Sequence, residues 1–184
     1  MIITISGKAG SGKGSVSKII AEKLWYERIS IGNLKRQLAD EMWLSISEFN
    51  MLGEQPDKAT EFDLKYEDYQ KNFDLQNNII LDSRLWFFCQ PKSFKVFLEV
   101  SPEEAAKRIM RDDRTTDNFS SVEQAYITTQ ERNKADRERY LNLYGIDLAD
   151  HNNFDLVIDT TLQTPQQTAE NILKQFEIFQ KKQK

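Results

Sequence analysis

The chain has 184 residues, of which 39% are hydrophobic and 29% are charged, a composition typical of a folded globular domain. Its formal net charge of −4 provides no general electrostatic attraction for nucleic acid, and its single cysteine, Cys89, excludes an intrachain disulfide and fits a reducing compartment. Because no apolar stretch is long enough for a membrane span and the first residues do not resemble a signal peptide, we expect a cytoplasmic protein.

The first predicted elements are a strand over residues 2–6, a glycine-rich loop and a helix over residues 13–24. The loop reads Gly7-Lys8-Ala9-Gly10-Ser11-Gly12-Lys13-Gly14-Ser15. A strand, a loop of this kind and a helix together predict a phosphate-binding loop. Its backbone N–H groups form an anion nest, the side chain of Lys13 reaches the β- and γ-phosphates of a nucleotide, and the positive end of the helix adds to the same field.

One position of the loop differs from the general motif, in which Ser or Thr follows the lysine and its hydroxyl reaches Mg²⁺. Here Gly14 follows Lys13, and the hydroxyl comes one residue later, on Ser15. This order resembles the loop of adenylate kinases and related nucleoside monophosphate kinases. Ser15 is therefore a candidate metal contact, either directly or through water.

Strand and helix patterns alternate along the remaining chain, which predicts an α/β fold with a mostly parallel sheet. The further strands are predicted at residues 78–82, 94–100 and 154–159, with a weak one at 28–30. The further helices are predicted at residues 32–42, 47–53, 57–76, 102–112, 121–144 and 165–181. A Ser-x-x-Glu capping box at Ser120 and Glu123 marks one helix start. The helical stretch before residue 78 has no strand of its own, and we expect it to cover a ligand cleft.

Charged side chains mark two further parts of the predicted site. Asp82 ends an apolar strand, and in enzymes with such a loop a carboxylate at this place organises Mg²⁺ or its water shell. Arg132 and Arg139 lie two turns apart on one helical face, and Asp136 between them is placed to hold both guanidinium groups. We favour a functional role for Arg108, Arg132 and Arg139, because phosphoryl transfer requires cations around the transferring group.

Residues 133–136 read Asn-Lys-Ala-Asp, which matches the guanine-binding motif of small GTPases. That motif follows a buried strand, whereas here it follows a strongly polar helical segment. The sequence also has no Asp-x-x-Gly. We therefore reject the GTPase interpretation.

Taken together, these segments resemble the nucleoside monophosphate kinases, and among them the short archaeal-type cytidylate kinases. The similarity extends over nearly the whole chain. It includes the loop and the stretches at 29–36, 44–50, 80–85, 132–140, 144–147 and 155–161, of which Tyr-Gly-Ile-Asp at 144–147 is the most diagnostic.

The resemblance implies a P-loop NTPase-type three-layer sandwich with a five-stranded parallel sheet, a helical NMP-binding insert at approximately 32–76 and a short lid at approximately 108–132. It implies ATP-dependent phosphorylation of CMP or dCMP by direct transfer, with Mg²⁺ and without nucleic-acid or membrane partners, by a protein that we expect to be a monomer. The implied residue roles are as follows: ATP binding by Gly7, Lys8, Ala9, Gly10, Ser11, Gly12, Lys13, Gly14 and Ser15; catalysis by Lys13, Arg108, Arg132 and Arg139; NMP binding by Asn33, Arg36 and Arg84; lid contacts by Arg108 and Arg111; and metal contacts by Ser15 and Asp82.

The acceptor side departs from the family pattern at Asn33, where Asp is usual, at Ser83, where Gly is usual, and at the bulky stretch 86–88. These departures leave two alternatives open. One is a kinase of another small metabolite, such as a nucleoside or a sugar acid, and the other is a non-catalytic nucleotide-binding regulatory protein.

Overall fold

Five parallel strands form the centre of the fold in the computed structural model, which describes residues 1–44, 48–49, 78–111 and 119–183. The strands are β1 (Ile2–Gly7), β2 (Glu27–Ser30), β3 (Ile79–Asp82), β4 (Phe94–Glu99) and β5 (Leu156–Asp159). Their order across the sheet is β2-β3-β1-β4-β5, and every neighbouring pair is parallel. All carboxyl ends therefore lie at one edge of the sheet, where α/β folds bind ligands.

Helices connect the strands. In the described ranges they are α1 (Lys13–Leu24), α2 (Ile31–Glu41), α3 (Trp86–Cys89), α4 (Pro102–Arg111), α5 (Val122–Tyr144) and α6 (Pro165–Lys182), with a short 3₁₀ turn at His151–Asn153. No helix within these ranges combines the length and hydropathy that a membrane span needs.

Two apolar clusters pack on opposite faces of the sheet. On one face, Ile3 and Ile80 pack with Val16 of α1 and Phe176 of α6. On the other face, Ile79 and Leu81 pack with Ile31, Ala39, Phe49 and Trp86. Successive residues of a strand point to opposite faces, so β3 contributes to both clusters. The predicted three-layer α/β sandwich with a five-stranded parallel sheet is confirmed.

The predicted strands and helices within the described ranges are found, and the sequence misplaced or missed two features. The capping box predicted at Ser120 and Glu123 is one residue too early. Ser121 caps α5, and its hydroxyl accepts a hydrogen bond from the backbone N–H of Gln124. The side-chain oxygen of Gln124 in turn accepts a hydrogen bond from the backbone N–H of Ser120. The short helix α3 was not predicted. It begins beside the Ser83 hydroxyl, which accepts hydrogen bonds from the backbone N–H groups of Leu85 and Trp86 at 3.2 Å each.

Parts of the predicted insert and lid lie outside the described residues. The described part of the insert comprises residues 32–44 and 48–49, most of which belong to α2. Of the helix predicted at 47–53 only residues 48–49 are described, and the helix predicted at 57–76 lies wholly outside, as does the stretch 112–118 in the predicted lid.

Candidate active site

The glycine-rich loop joins the carboxyl end of β1 to the first turn of α1. Gly10 has φ 75° and Gly12 has φ 86°, a left-handed conformation that glycine adopts without a Cβ penalty. Lys13 curls back over the loop, and its ammonium group donates hydrogen bonds to the carbonyl oxygens of Gly7 and Lys8 at 2.8 Å each. The loop therefore has a cation at its centre and the N-terminus of a helix at its end, which suits an anion.

Two of the loop glycines also allow close backbone packing. A Cβ on Gly7 would lie 2.3 Å from the carbonyl oxygen of Leu98 in β4, and one on Gly10 would lie 2.8 Å from the backbone of Ala105 in α4. Both distances are too short for any side chain. The loop thus packs directly on the neighbouring strand β4 and on α4, the last residues of which belong to the predicted lid.

A cleft of about 1220 Å³ opens above the carboxyl edge of the sheet. Most of the residues that the sequence predicted for the site line it: Ala9, Gly10, Ser11, Gly12, Lys13, Gly14, Ser15, Asn33, Arg36, Asp82, Arg84, Arg108, Arg111, Arg132 and Arg139. Residues up to 130 positions apart in the sequence therefore share one cavity. Its size exceeds that of a typical single-ligand pocket, roughly 300–1000 Å³.

Gly7 and Lys8 do not line this cleft. Gly7 lies beneath the loop against β4, and the Lys8 ammonium group forms an ion pair with Glu99 at the end of β4. Glu99 also lies 2.9 Å from the Nε2 atom of His151. The side chain of Lys8 therefore points away from the place where the structure gathers the other predicted residues.

Asp136 of α5 forms the centre of an arginine cluster. Its Oδ1 atom accepts a hydrogen bond from Arg139 at 2.9 Å, and its Oδ2 atom forms an ion pair with Arg84 from the turn after β3. The prediction that Asp136 would hold Arg132 together with Arg139 is therefore corrected, since the second partner is Arg84. The guanidinium of Arg139 also lies over the ring of Tyr140, 5.1 Å from its centroid.

Positive charge is in excess in this cluster. Arg84, Arg132 and Arg139 line the same cleft, and the carboxylate of Asp136 pairs with Arg84 and Arg139. The pKa of Arg84 is lowered to about 9, chiefly by burial and then by the positive charges of Arg132 and Arg139, while Tyr140 acts in the opposite direction. Arg84 is still charged at neutral pH. An incoming dianion would restore the charge balance that burial and mutual repulsion disturb.

Arg108 joins α4 to the turn after β5 by hydrogen bonds. It donates to Glu104 at 3.1 Å, to the carbonyl oxygens of Thr160 and Thr161 at 2.6 and 3.2 Å, and to the Thr160 hydroxyl at 3.1 Å. The Thr160 hydroxyl in turn lies 3.1 Å from the carbonyl oxygen of Ser11. Arg108 thus connects the turn after β5 to the glycine-rich loop.

Two of the three departures from the family pattern, Asn33 and Ser83, have local hydrogen-bond partners. The Asn33 side-chain oxygen accepts a hydrogen bond from Arg36, so Asn33 orients Arg36 without adding the negative charge that an aspartate would bring. The Ser83 hydroxyl accepts the two backbone hydrogen bonds that begin α3. Both residues line the cleft, and each side chain holds a neighbouring group in place by a hydrogen bond.

Asp82 has partners that the sequence did not predict. Its Oδ2 atom accepts hydrogen bonds from Arg28 at 2.8 Å and from the Ser17 hydroxyl at 3.2 Å. Arg28 also donates to Ser17 at 2.7 Å. The sequence did contain a signal for this contact: an arginine within the weakly predicted strand at 28–30, which lies next to the strand that ends in Asp82.

The oxygen atoms around the loop suit Mg²⁺ rather than a softer metal. Asp82 is buried, with 6% of its surface exposed, and it lines the cleft together with Ser15. Within the described ranges no three acidic, histidine or cysteine side chains come together. Mg²⁺ is usually held by one or two carboxylates together with water and substrate phosphates, and this donor set fits that pattern.

The segment that matches the guanine-binding motif lies inside α5, and not after a strand. The Asn133 side-chain oxygen accepts a hydrogen bond from the backbone N–H of Ala9 at 3.3 Å. Asn133 therefore contacts the glycine-rich loop from above, and its place in the fold supports the rejection of the GTPase interpretation.

The sheet order, the loop and the cleft above it define a kinase-type P-loop fold. Comparison with protein-family models matches residues 2–162 to the cytidylate kinase-like family. The chain belongs to this family, as the sequence resemblance predicted.

Individual relatives share the same region. The chain is 37% identical to a cytidylate kinase of Natronomonas pharaonis, over 90% of this chain and 83% of the relative. It is also 37% identical, over 95% of its length, to an S-adenosylmethionine-dependent nucleotide dehydratase of Lacinutrix mariniflava, of which it spans about a third (36%). Among solved structures, a shikimate kinase from Bacteroides thetaiotaomicron superposes with a TM-score of 0.65 over 96% of this chain and 98% of that one, at 14% identity, a likeness that concerns the fold alone.

Proposed function

We propose that this protein transfers the γ-phosphoryl group of ATP to CMP or dCMP, giving ADP and CDP or dCDP. One observation carries the proposal: the phosphate-binding loop with Lys13 and the cluster of Arg84, Arg132 and Arg139 line the same cleft. A loop for the donor phosphates and a separate cationic cluster for a second phosphate are what a monophosphate kinase requires.

The protein would act by positioning and by charge neutralisation. The phosphate of a nucleoside monophosphate is already ionised near neutral pH, so transfer to it needs no general base. Lys13 and the backbone N–H groups of the loop would hold the donor phosphates. Arg36 and Arg84 would hold the acceptor phosphate, and Arg132 and Arg139 would stabilise the charge that spreads over the transferring group.

Asp82 and Ser15 would hold Mg²⁺ together with the donor phosphates, directly or through water. When bound, the metal would neutralise charge on the β- and γ-phosphates. Arg108 and the turn at Thr160 and Thr161 would lie beside the base of the donor. We propose that the insert and the lid close over both nucleotides and exclude water, which would suppress hydrolysis of ATP.

The dehydratase relative leads to a second candidate, in which this chain provides the nucleotide-binding part of a dehydratase system. The chain matches 36% of that relative, so the S-adenosylmethionine-dependent reaction can reside in the part of the relative that this chain does not match. The residues of this chain, in contrast, include a complete phosphate-binding loop and an arginine cluster. We therefore favour phosphoryl transfer as the activity of this chain.

A coupled assay of ADP formation distinguishes phosphoryl transfer to a nucleoside monophosphate from the two alternatives that the sequence left open. ATP and Mg²⁺ would be supplied with CMP, dCMP, UMP, AMP or GMP in turn. We expect turnover that depends on CMP or dCMP. Turnover only with an acceptor that lacks phosphate would indicate a different metabolite kinase, and tight ATP binding without turnover on any acceptor would indicate a regulatory protein.

A further inference from the structure

Arg28 forms an ion pair with the proposed metal-binding carboxylate, Asp82. It lies in β2, and its guanidinium group reaches the end of β3, where it donates to Asp82 at 2.8 Å and to the Ser17 hydroxyl at 2.7 Å. Ser17 lies in α1, which begins at the glycine-rich loop. The three side chains thus join β2, β3 and α1 directly beneath that loop.

Both members of the ion pair are shielded from water. The Arg28 side chain is 20% exposed and that of Asp82 is 8% exposed, so solvent weakens their interaction less than it would at the surface. The other described carboxylates that line the cleft belong to Glu104, Glu131 and Asp136. Glu104 and Asp136 pair with arginines on α4 and α5, and Glu131 is exposed on α5.

We infer that Arg28 is a positioning residue that sets how strongly the cleft holds Mg²⁺, an inference that rests on the proposed function. Arg28 and Ser17 both donate to the Oδ2 atom of Asp82, which leaves the Oδ1 atom for the metal or its water shell. The guanidinium also places a fixed positive charge next to that carboxylate. A fixed cation at this distance repels a second cation and lowers the affinity for Mg²⁺.

A purely structural role predicts something different. If Arg28 only satisfied a buried carboxylate, its removal would lower the free energy of unfolding, and Asp82 would lose its orientation and bind the metal less tightly. The inference predicts the opposite sign for metal binding. The sign of the change in Mg²⁺ affinity therefore separates the two roles without reference to turnover.

The experiment measures binding of the non-hydrolysable analogue adenylyl imidodiphosphate by calorimetry over a series of free Mg²⁺ concentrations. The quantity of interest is the Mg²⁺ concentration at which half of the metal-dependent gain in affinity is reached. We expect Arg28→Gln to lower it about tenfold, since one unit of nearby positive charge is removed. Arg28→Lys retains the charge but not the paired geometry, and should remain within about twofold of the unchanged protein.

Two further variants complete the test. Arg28→Met keeps much of the apolar stem and serves as the neutral variant if Arg28→Gln does not fold. In an Asp82→Asn background, which removes the carboxylate charge that Arg28 pairs with, Arg28→Gln should change the Mg²⁺ dependence less than it does in the unchanged protein. If the half-saturating Mg²⁺ concentration were unchanged or raised in Arg28→Gln and Arg28→Met, the inference would be overturned and the proposed function would stand. Failure of the unchanged protein to bind the analogue at any Mg²⁺ concentration would overturn the proposed function as well.

Discussion

Arg84 and Asp136 form an ion pair that connects the turn after β3 with the middle of α5. Fifty-two positions separate the two residues in the sequence, and Asp136 is buried, with 7% of its surface exposed. The pair therefore fixes the position of α5, which carries Arg132 and Arg139, relative to the edge of the sheet. Its loss should affect both folding and the acceptor site.

Removing the Asp136 carboxylate should destabilise the protein and weaken acceptor binding. Asp136→Ala leaves the Arg84 and Arg139 guanidinium groups without their shared carboxylate, and breaking such a buried pair costs about 3–5 kcal/mol. The free energy of unfolding can be measured by urea denaturation, and acceptor binding by the KM for CMP. Glu138→Gln is a matched control on the same helix. Glu138 is exposed, and its ion pair with Lys134 is long, at 3.9 Å, so its loss should cost little. If Asp136→Ala were as stable as this control, the structural role of the pair would be wrong.

Lys13 should be essential for turnover and dispensable for folding. Lys13→Ala removes the cation that the loop holds for the donor phosphates, and we expect kcat to fall by at least about 10²-fold, as when one transition-state donor is lost. Lys23→Ala, which removes an exposed lysine from the same helix, should leave kcat unchanged. Full turnover by the Lys13 variant, with folding verified by circular dichroism, would contradict the assignment of the loop.

Arg108 should affect the donor more than the acceptor. It connects α4 to the turn at Thr160 and Thr161, beside the loop proposed for ATP. We expect Arg108→Ala to raise the KM for ATP by about tenfold, which corresponds to loss of a charged hydrogen-bond network, and to change the KM for CMP much less. Lys107→Ala, an exposed neighbour on the same helix, is the control. An equal rise in both KM values would argue against a donor-side position.

The end of α5 should be sensitive to acid through Asp147. The pKa of Asp147 is lowered from its ordinary value of 3.8, first by a side-chain hydrogen bond from Arg137. A carboxyl with a depressed pKa in the folded state contributes stability above the unfolded-state pKa, and this contribution is lost as the pH falls through the folded-state value. Arg137→Gln should therefore reduce Tm at neutral pH by a small amount that disappears in strong acid. Profiles of Tm against pH for Arg137→Gln and the unchanged protein test this prediction, with Lys134→Gln as control. A difference in Tm between Arg137→Gln and the unchanged protein that persists in strong acid would be inconsistent with the prediction.

The sequence predicted those parts of the site that are close together in the chain. The strand, loop and helix at residues 2–24 follow from local rules, since the loop glycines need left-handed or tightly packed backbone and the flanking residues have clear periodicity. The arginines of α5 share a face because of helical spacing alone. These features were placed correctly without any knowledge of the tertiary structure.

The contacts between distant segments were not predictable in the same way. The pairing of Arg28 with Asp82 depends on the register of β2 against β3, in which Ser30 is the partner of Asp82, and a four-residue edge strand carries no register information. The pairing of Arg84 with Asp136 depends on how α5 packs over the sheet. The helix α3 depends on the Ser83 hydroxyl at its start, which the apolar pattern of residues 86–89 did not reveal.

The most direct test of the central claim follows the phosphorus atoms of both nucleotides. ³¹P NMR of the protein with ATP, Mg²⁺ and CMP should show the β-phosphate resonance of CDP appearing at the rate at which ADP forms, and in equal amounts. With Lys13→Ala both products should form at least about 10²-fold more slowly. The account would be contradicted if ADP accumulated together with inorganic phosphate while neither CDP formed from CMP nor dCDP formed from dCMP.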